Sequence, residues 1–300
     1  WPPGRLHEQL GRAGLVARMG PFAVRLRVPF APLVDSLHLL YADYPILEDE
    51  ALVDLHVGLG PPNPLRRRVK PIVRFTIDAR APFPDSPAAH ALPTLEWGIN
   101  WGIATRANHL LMLHCAAIER DGQAVLFPAW PGHGKSTLCT ALVHSGWRLL
   151  SDEFGLVRPE DGAILPIPRL IPLKNESIEV IRSFAPEAYI GPSFYGTRKG
   201  TVAHVRPPAE SVERQGEVAR PGWLVFPRWV KDAPLTLEPM PKAQSFLMVA
   251  TNAFNYPVLG ETAFRLVGDM VRTCECFSLT YSDLDEAVTA LDRLTRGAHG

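Results

Sequence analysis

A lysine, a hydroxyl and two carboxylates stand close together in one stretch, VLFPAWPGHGKSTLCTALVHSGWRLLSDE, which spans 125–153. Lys135-Ser136 closes the run AWPGHGKS, the G-x-x-x-x-G-K-S/T pattern with Ala129 in place of its first glycine. The chemistry such a run serves is phosphate binding. A strand delivers the chain into a turn, and glycines let backbone N–H groups converge on phosphate oxygens. The helix that follows turns its positive N-terminus toward the same oxygens. Pro131, Gly132, His133, Gly134, Lys135, Ser136 and Thr137 are therefore the candidate nucleotide-binding residues. Lys135 adds a point charge on the terminal phosphates, and the Ser136 hydroxyl is a candidate Mg²⁺ ligand. Lys135 is expected to face solvent in an empty loop, so that Lys135→Ala leaves the fold intact. Ala129 is strained if its position needs a positive φ.

The elements around the loop have the order this chemistry requires. AVLFP is a strand and KSTLCTALVHSG a helix, with Leu138, Ala141 and Leu142 inward and Gly146 at its C-terminal stop. WRLL is a second buried strand, and Asp152 and Glu153 follow it directly. Strand-end carboxylates beside a phosphate loop hold a metal or orient a nucleophile. Upstream, LLMLHCAAIER and QAVLFPAW flank Asp121-Gly122, a strong two-residue hairpin signal. If Arg120 pairs with Gln123, His114 lies opposite Ala129, at the mouth of the loop. His114 is thus a candidate site residue; a satisfied strand histidine is the equal alternative.

His114, the strand into GHGKST, the helix ending HSGWRLL, and SDE together resemble the catalytic core of HPr kinase/phosphorylase. The resemblance is closer still to the bacterial HPr-kinase-related kinases, and it covers about 110–157 in detail. Phosphoenolpyruvate carboxykinases share this type of loop and acidic pair but are much longer. The resemblance implies an α/β fold, with a P-loop HPr kinase/PEP carboxykinase-like catalytic domain over 109–300 and a smaller N-terminal α+β domain over 1–108. It implies an ATP- and Mg²⁺-dependent kinase acting on a Ser or Thr hydroxyl of a small carrier protein or a ribosomally made peptide, and a homo-oligomer. Carried over, Asp152 is the base, Glu153 and Ser136 serve the metal, and His114 and Lys135 complete the catalytic set. Glu153 stands where the family usually has Asp. The family's glycine-rich signature after the acidic pair is absent, and PRLIPLKNESIEVI occupies that region. The residues leave two alternatives open, a small-molecule kinase on the same scaffold and a nucleotide-gated binding module with little hydrolysis.

The bulk numbers set the frame. Lys plus Arg equals Asp plus Glu, at 31 each over 300 residues, so no global pull toward nucleic acid or membrane is expected. No apolar run is long enough to span a bilayer, and Trp1-Pro-Pro-Gly-Arg has no apolar signal region. Cys115 and Cys139 read as core thiols, and Cys274-Glu-Cys276 is no zinc motif. A reducing cytoplasm is the expected compartment. Strands are expected at 22–30, 52–59 and 70–78, with the triplet Arg66, Arg67 and Arg68 in a solvated loop between the last two. Helices are expected at 34–44, over 93–109 with Leu95, Ile99 and Ile103 on one face, over 242–256, and from Ser282 onward. WLVFPRWV and PLTLEPM resemble strands, and 191–204 a mobile loop.

Overall fold

The computed structural model describes residues 3–47 and 52–296. The chain is mixed α/β and divides into two units. The first comprises residues 1–106, 172–178 and 189–206 and the second 107–171, 179–188 and 207–300. No helix among the described residues is long and apolar enough to cross a membrane. All four cysteines are free and buried.

The first unit is built on a six-stranded sheet. Alternating apolar residues face inward along Phe22–Arg27, Leu55–Gly60 and Ile72–Ile77. Helix Ala91–Arg106 buries Leu95, Ile99 and Ile103. Arg66, Arg67 and Arg68 lie on or beside a short 3-10 turn, Leu65–Arg67, between two of the strands. Residues 191–204 differ from the mobile loop expected of so glycine-rich a run. They form a β-hairpin, Phe194–Thr197 with Gly200–Val205, in a three-stranded sheet with Ile171–Lys174. Its tip is held from both sides: His90 Nε2 lies 2.9 Å from the Tyr195 carbonyl, and the Lys199 ammonium sits 5.3 Å from the centre of the Trp97 ring. Glycine marks the turn of such a hairpin as readily as it marks a mobile segment.

The second unit holds an eight-stranded sheet. Strands Leu111–Arg120 and Gln123–Pro128 form the expected antiparallel hairpin, with Arg120 opposite Gln123 and Cys115 opposite Pro128. Asp121 and Gly122 take φ of 53° and 78°, the pair of left-handed residues that a type I′ turn demands. Strand Arg220–Trp229 runs parallel to Gln123–Pro128, and strand Glu275–Tyr281 runs parallel to Arg220–Trp229. Arg148–Ser151 lies antiparallel to Leu111–Arg120, so it points the same way as these three. Four like-directed strands therefore end at one edge of the sheet. In open α/β sheets that edge is where ligands bind. Leu111, Leu113, Cys115 and Ala117 face a core closed by helix Glu261–Thr273, which contributes Ala263, Leu266, Val267 and Met270.

Helix Lys242–Thr251 is shorter than expected. Residues 252–255 leave it and lie along strand Leu111–Arg120, where His114 N–H donates to the Asn252 carbonyl (2.6 Å) and Phe254 N–H to that of Met112 (2.8 Å). They occupy the flank that Gln123–Pro128 vacates when it turns into the loop. An amide partner distant in sequence outweighs local helical pattern here.

Candidate functional site

Residues 129–134 join strand Gln123–Pro128 to helix Lys135–His144 at this edge. Ala129 is buried and is not among the residues with positive φ, so it carries no backbone strain. Gly132 and Gly134 do take the left-handed conformation, with φ of 90° and 84°. Gly134 is also crowded: a Cβ there would lie 2.6 Å from Tyr281 Oη and 2.9 Å from Trp229 Cβ. Only glycine fits. Pro131 and Gly132 are exposed at the loop tip, while His133, Ser136 and Thr137 are half-buried.

Lys135 is the first residue of the helix, and here the expectation of a solvent-facing side chain is overturned. It is 9% exposed, and its ammonium donates to the Asp152 carbonyl at 3.0 Å. A strand-end carbonyl within reach gives the charge a partner without water, which outweighs its exposure at the loop surface. Ser136 Oγ donates to Asp152 Oδ2 at 2.7 Å. Asp152 is 4% exposed. The Ser151 hydroxyl accepts from the N–H groups of Glu153 (3.3 Å) and Phe154 (3.0 Å), where the chain bends. Glu153 is half-buried, and its carboxylate makes no ion pair among the described residues.

His114 is half-buried in the middle of its strand. Its ring lies 5.4 Å from that of Phe254, which also meets Phe154 at 5.5 Å. The hairpin register carries the residue to the level of Ala129, as expected; the ring itself packs among aromatics.

Several residues that shape the site come from elements whose sequence carries no chemical motif. Tyr281 Oη donates to the Gly134 carbonyl at 3.1 Å, and Trp229 N–H donates to the His133 carbonyl at 3.1 Å. Burial pushes the Tyr281 phenol well above its ordinary range. Cys139, one helical turn after Ser136, is a core thiol as expected. Burial raises its pKa well above the ordinary value, and the nearby charge of Asp152 raises it further. Asn255 is buried and clamps strand Leu111–Arg120: its Oδ1 accepts from Met112 N–H (3.0 Å) and its Nδ2 donates to the Leu110 carbonyl (2.8 Å). A cavity of about 430 Å³ lies elsewhere, in the first unit, lined by Leu10, Leu37, His38 and Tyr41.

The donor set suits Mg²⁺. The Ser136 hydroxyl and the Asp152 carboxylate are hard oxygens one hydrogen bond apart, with Glu153 next in the chain. Mg²⁺ is held by one or two carboxylates together with phosphate and water oxygens. No group of three or more His, Cys, Asp or Glu side chains gathers to bind a metal among the described residues.

No family model matches the chain, and no curated protein matches it. Among solved structures, one match is the Hpr(Ser) kinase/phosphatase from Coxiella burnetii, at 14% identity over 62% of this chain and 98% of that one, with a TM-score of 0.24. A superposition at that level establishes no shared fold.

Proposed function

We propose that this chain is an ATP-dependent phosphotransferase of the HPr-kinase-like type, which passes the γ-phosphate to a Ser or Thr hydroxyl of a small protein or peptide. The observation that carries this reading is the junction of Lys135, Ser136 and Asp152. An ammonium, a hydroxyl and a carboxylate converge through bonds of 3.0 and 2.7 Å at the carboxyl edge of like-directed strands. Kinases need little covalent chemistry; their catalysis is positioning and charge stabilisation, and these three groups are of the types that supply it.

The N–H groups of 132–136 would bind phosphate oxygens, with Lys135 moving from the Asp152 carbonyl to a terminal phosphate. Mg²⁺, when bound, neutralises charge on the phosphate oxygens. Ser136 and Asp152 would hold it. This reverses the order of the two acids that the resemblance implies. Asp152 is enclosed and already bonded to the metal-side hydroxyl, whereas Glu153 is more exposed and makes no ion pair among the described residues. A base must come within hydrogen-bond reach of the acceptor hydroxyl, and Glu153 is the acid that an incoming acceptor meets. Glu153 would accept or orient that proton.

The test is incubation with γ-labelled ATP, Mg²⁺ and a bacterial extract, followed by separation of macromolecules from small molecules. Label in protein or peptide supports the proposal. Label on a small molecule replaces it with small-molecule phosphorylation, and label on neither leaves a binding module. For the roles of the acids, Asp152→Asn should chiefly weaken Mg²⁺·ATP binding, read by calorimetry. Glu153→Gln should retain binding and lower the saturated rate by roughly a hundredfold, the scale of a lost general base. The opposite pattern restores Asp152 as the base.

A further inference from the structure

We propose that Trp229 is the stacking platform for the base of the bound nucleotide, an assignment that rests on the phosphotransferase reading above. Strand Arg220–Trp229 pairs with the loop's own strand in a register that sets Leu224 beside Leu126. Carried on, the register brings Phe226 level with Pro128, where the loop begins. Trp229 then stands three residues further, about 10 Å beyond, at ~3.3 Å per residue. The strand overshoots and walls one side of the loop. Its last residue is fastened there, since Trp229 N–H donates to the His133 carbonyl at 3.1 Å and Trp229 Cβ lies 2.9 Å from where a Gly134 Cβ would stand.

The indole is also fixed in orientation. Its Nε1–H donates to the Ser282 carbonyl at 3.1 Å, so its polar handle is satisfied within the protein. Yet the residue remains 45% exposed. A tryptophan that is oriented, hydrogen-bonded and still open on its apolar surface is suited to receive a flat partner. The neighbouring Arg228 and Lys231 are exposed and make no ion pair among the described residues. Trp130, at the other end of the loop, is likewise 47% exposed. A ligand that fills the phosphate loop and continues toward Trp229 has an anionic end and a planar aromatic end, which is a nucleoside triphosphate. Stacking tolerates any base, because each has a π-face and no hydrogen-bond readout is involved. The site should therefore accept purine nucleotides with little regard for identity.

Calorimetry with Mg²⁺·ATP, Mg²⁺·GTP and Mg²⁺·tripolyphosphate tests this on the parent, Trp229→Ala and Trp229→Phe. The parent should bind ATP and GTP alike and tripolyphosphate more weakly. Trp229→Ala should lose roughly five- to a hundredfold in affinity for both nucleotides, the range of one base–aromatic stack, and nothing for tripolyphosphate. Trp229→Phe should recover most of the loss, which also controls for folding. Trp229→Ala binding ATP like the parent overturns the platform alone. So does an equal loss for ATP and tripolyphosphate, which would make Trp229 a support for the loop. A parent that binds none of the three overturns the phosphate-loop reading and the platform with it.

Discussion

Lys135 is held in place before any phosphate arrives. Its side chain is buried and its ammonium donates to the Asp152 carbonyl, so removing it deletes a buried charge-assisted hydrogen bond. That costs about 1–3 kcal/mol. Lys135→Ala should accordingly lower the urea midpoint without nucleotide present, as well as abolish phosphotransfer. A midpoint equal to the parent's would mean the lysine is not anchored in solution. The identity of Lys135, Ser136 and Asp152 as a group was legible in the sequence, because one strand–turn–helix–strand run delivers all three. Their internal bonds were not. Whether a lysine is solvated or anchored depends on a carbonyl at the end of another strand, which periodicity cannot place. Cys139 shows the same limit. Its apolar neighbours predicted a buried thiol, but only the fold brings it near enough to the Asp152 charge to raise its pKa beyond what burial does.

At the scale of elements, the Asp-Gly turn was the most informative dipeptide in the chain. It fixes six opposed pairs, from Arg120 and Gln123 to Cys115 and Pro128, and so sets the level of His114. The limit of local pattern appears at 252–255. These residues continue an apolar helical rhythm, yet they leave the helix to serve a strand far away in sequence. Asn255 completes that switch by answering two buried backbone groups with one amide. Asn255→Ala should strand both groups and cost about 2–6 kcal/mol, at ~1–3 kcal/mol for each. Val258, three residues on, is exposed, and Val258→Ala should stay within about 0.5 kcal/mol. Urea unfolding of both variants checks this. Equal midpoints would show that the segment is dispensable to the strand it covers.

At the scale of the whole molecule, the four-strand edge that carries the site could not be read from the sequence. The strands neighbouring the loop come from 220–229 and 275–281, and parallel pairing leaves no short-range turn signal. Nor could the sequence indicate that 172–178 and 189–206 cluster with the first unit. The charge balance, in contrast, has a direct consequence. With 31 basic and 31 acidic residues, repulsion between like charges is small near neutrality, so the alkaline response falls to a few buried groups. Burial raises Cys115 and Cys274 to about 12 and Cys139 well above its ordinary value, and it raises Tyr281 as well. Unfolding returns each thiol to a pKa near 9.0. Above that pH the unfolded chain gives up protons that the native chain keeps, so stability must fall as pH rises. The stabilisation is whole below pH 9 and is lost progressively from there toward pH 12. Each thiol contributes a slope of about 1.4 kcal/mol per pH unit once fully engaged, and three give about 4. Against a total stability of ~5–15 kcal/mol, unfolding should follow within a few units above pH 9. Urea midpoints should therefore hold steady from pH 7 to 8 and drop steeply from about pH 9.5. Cys274→Ala, remote from the loop, should remove about a third of that slope without altering nucleotide binding. An unchanged slope in this variant would show that the Cys274 thiol does not contribute to the alkaline loss, against this account.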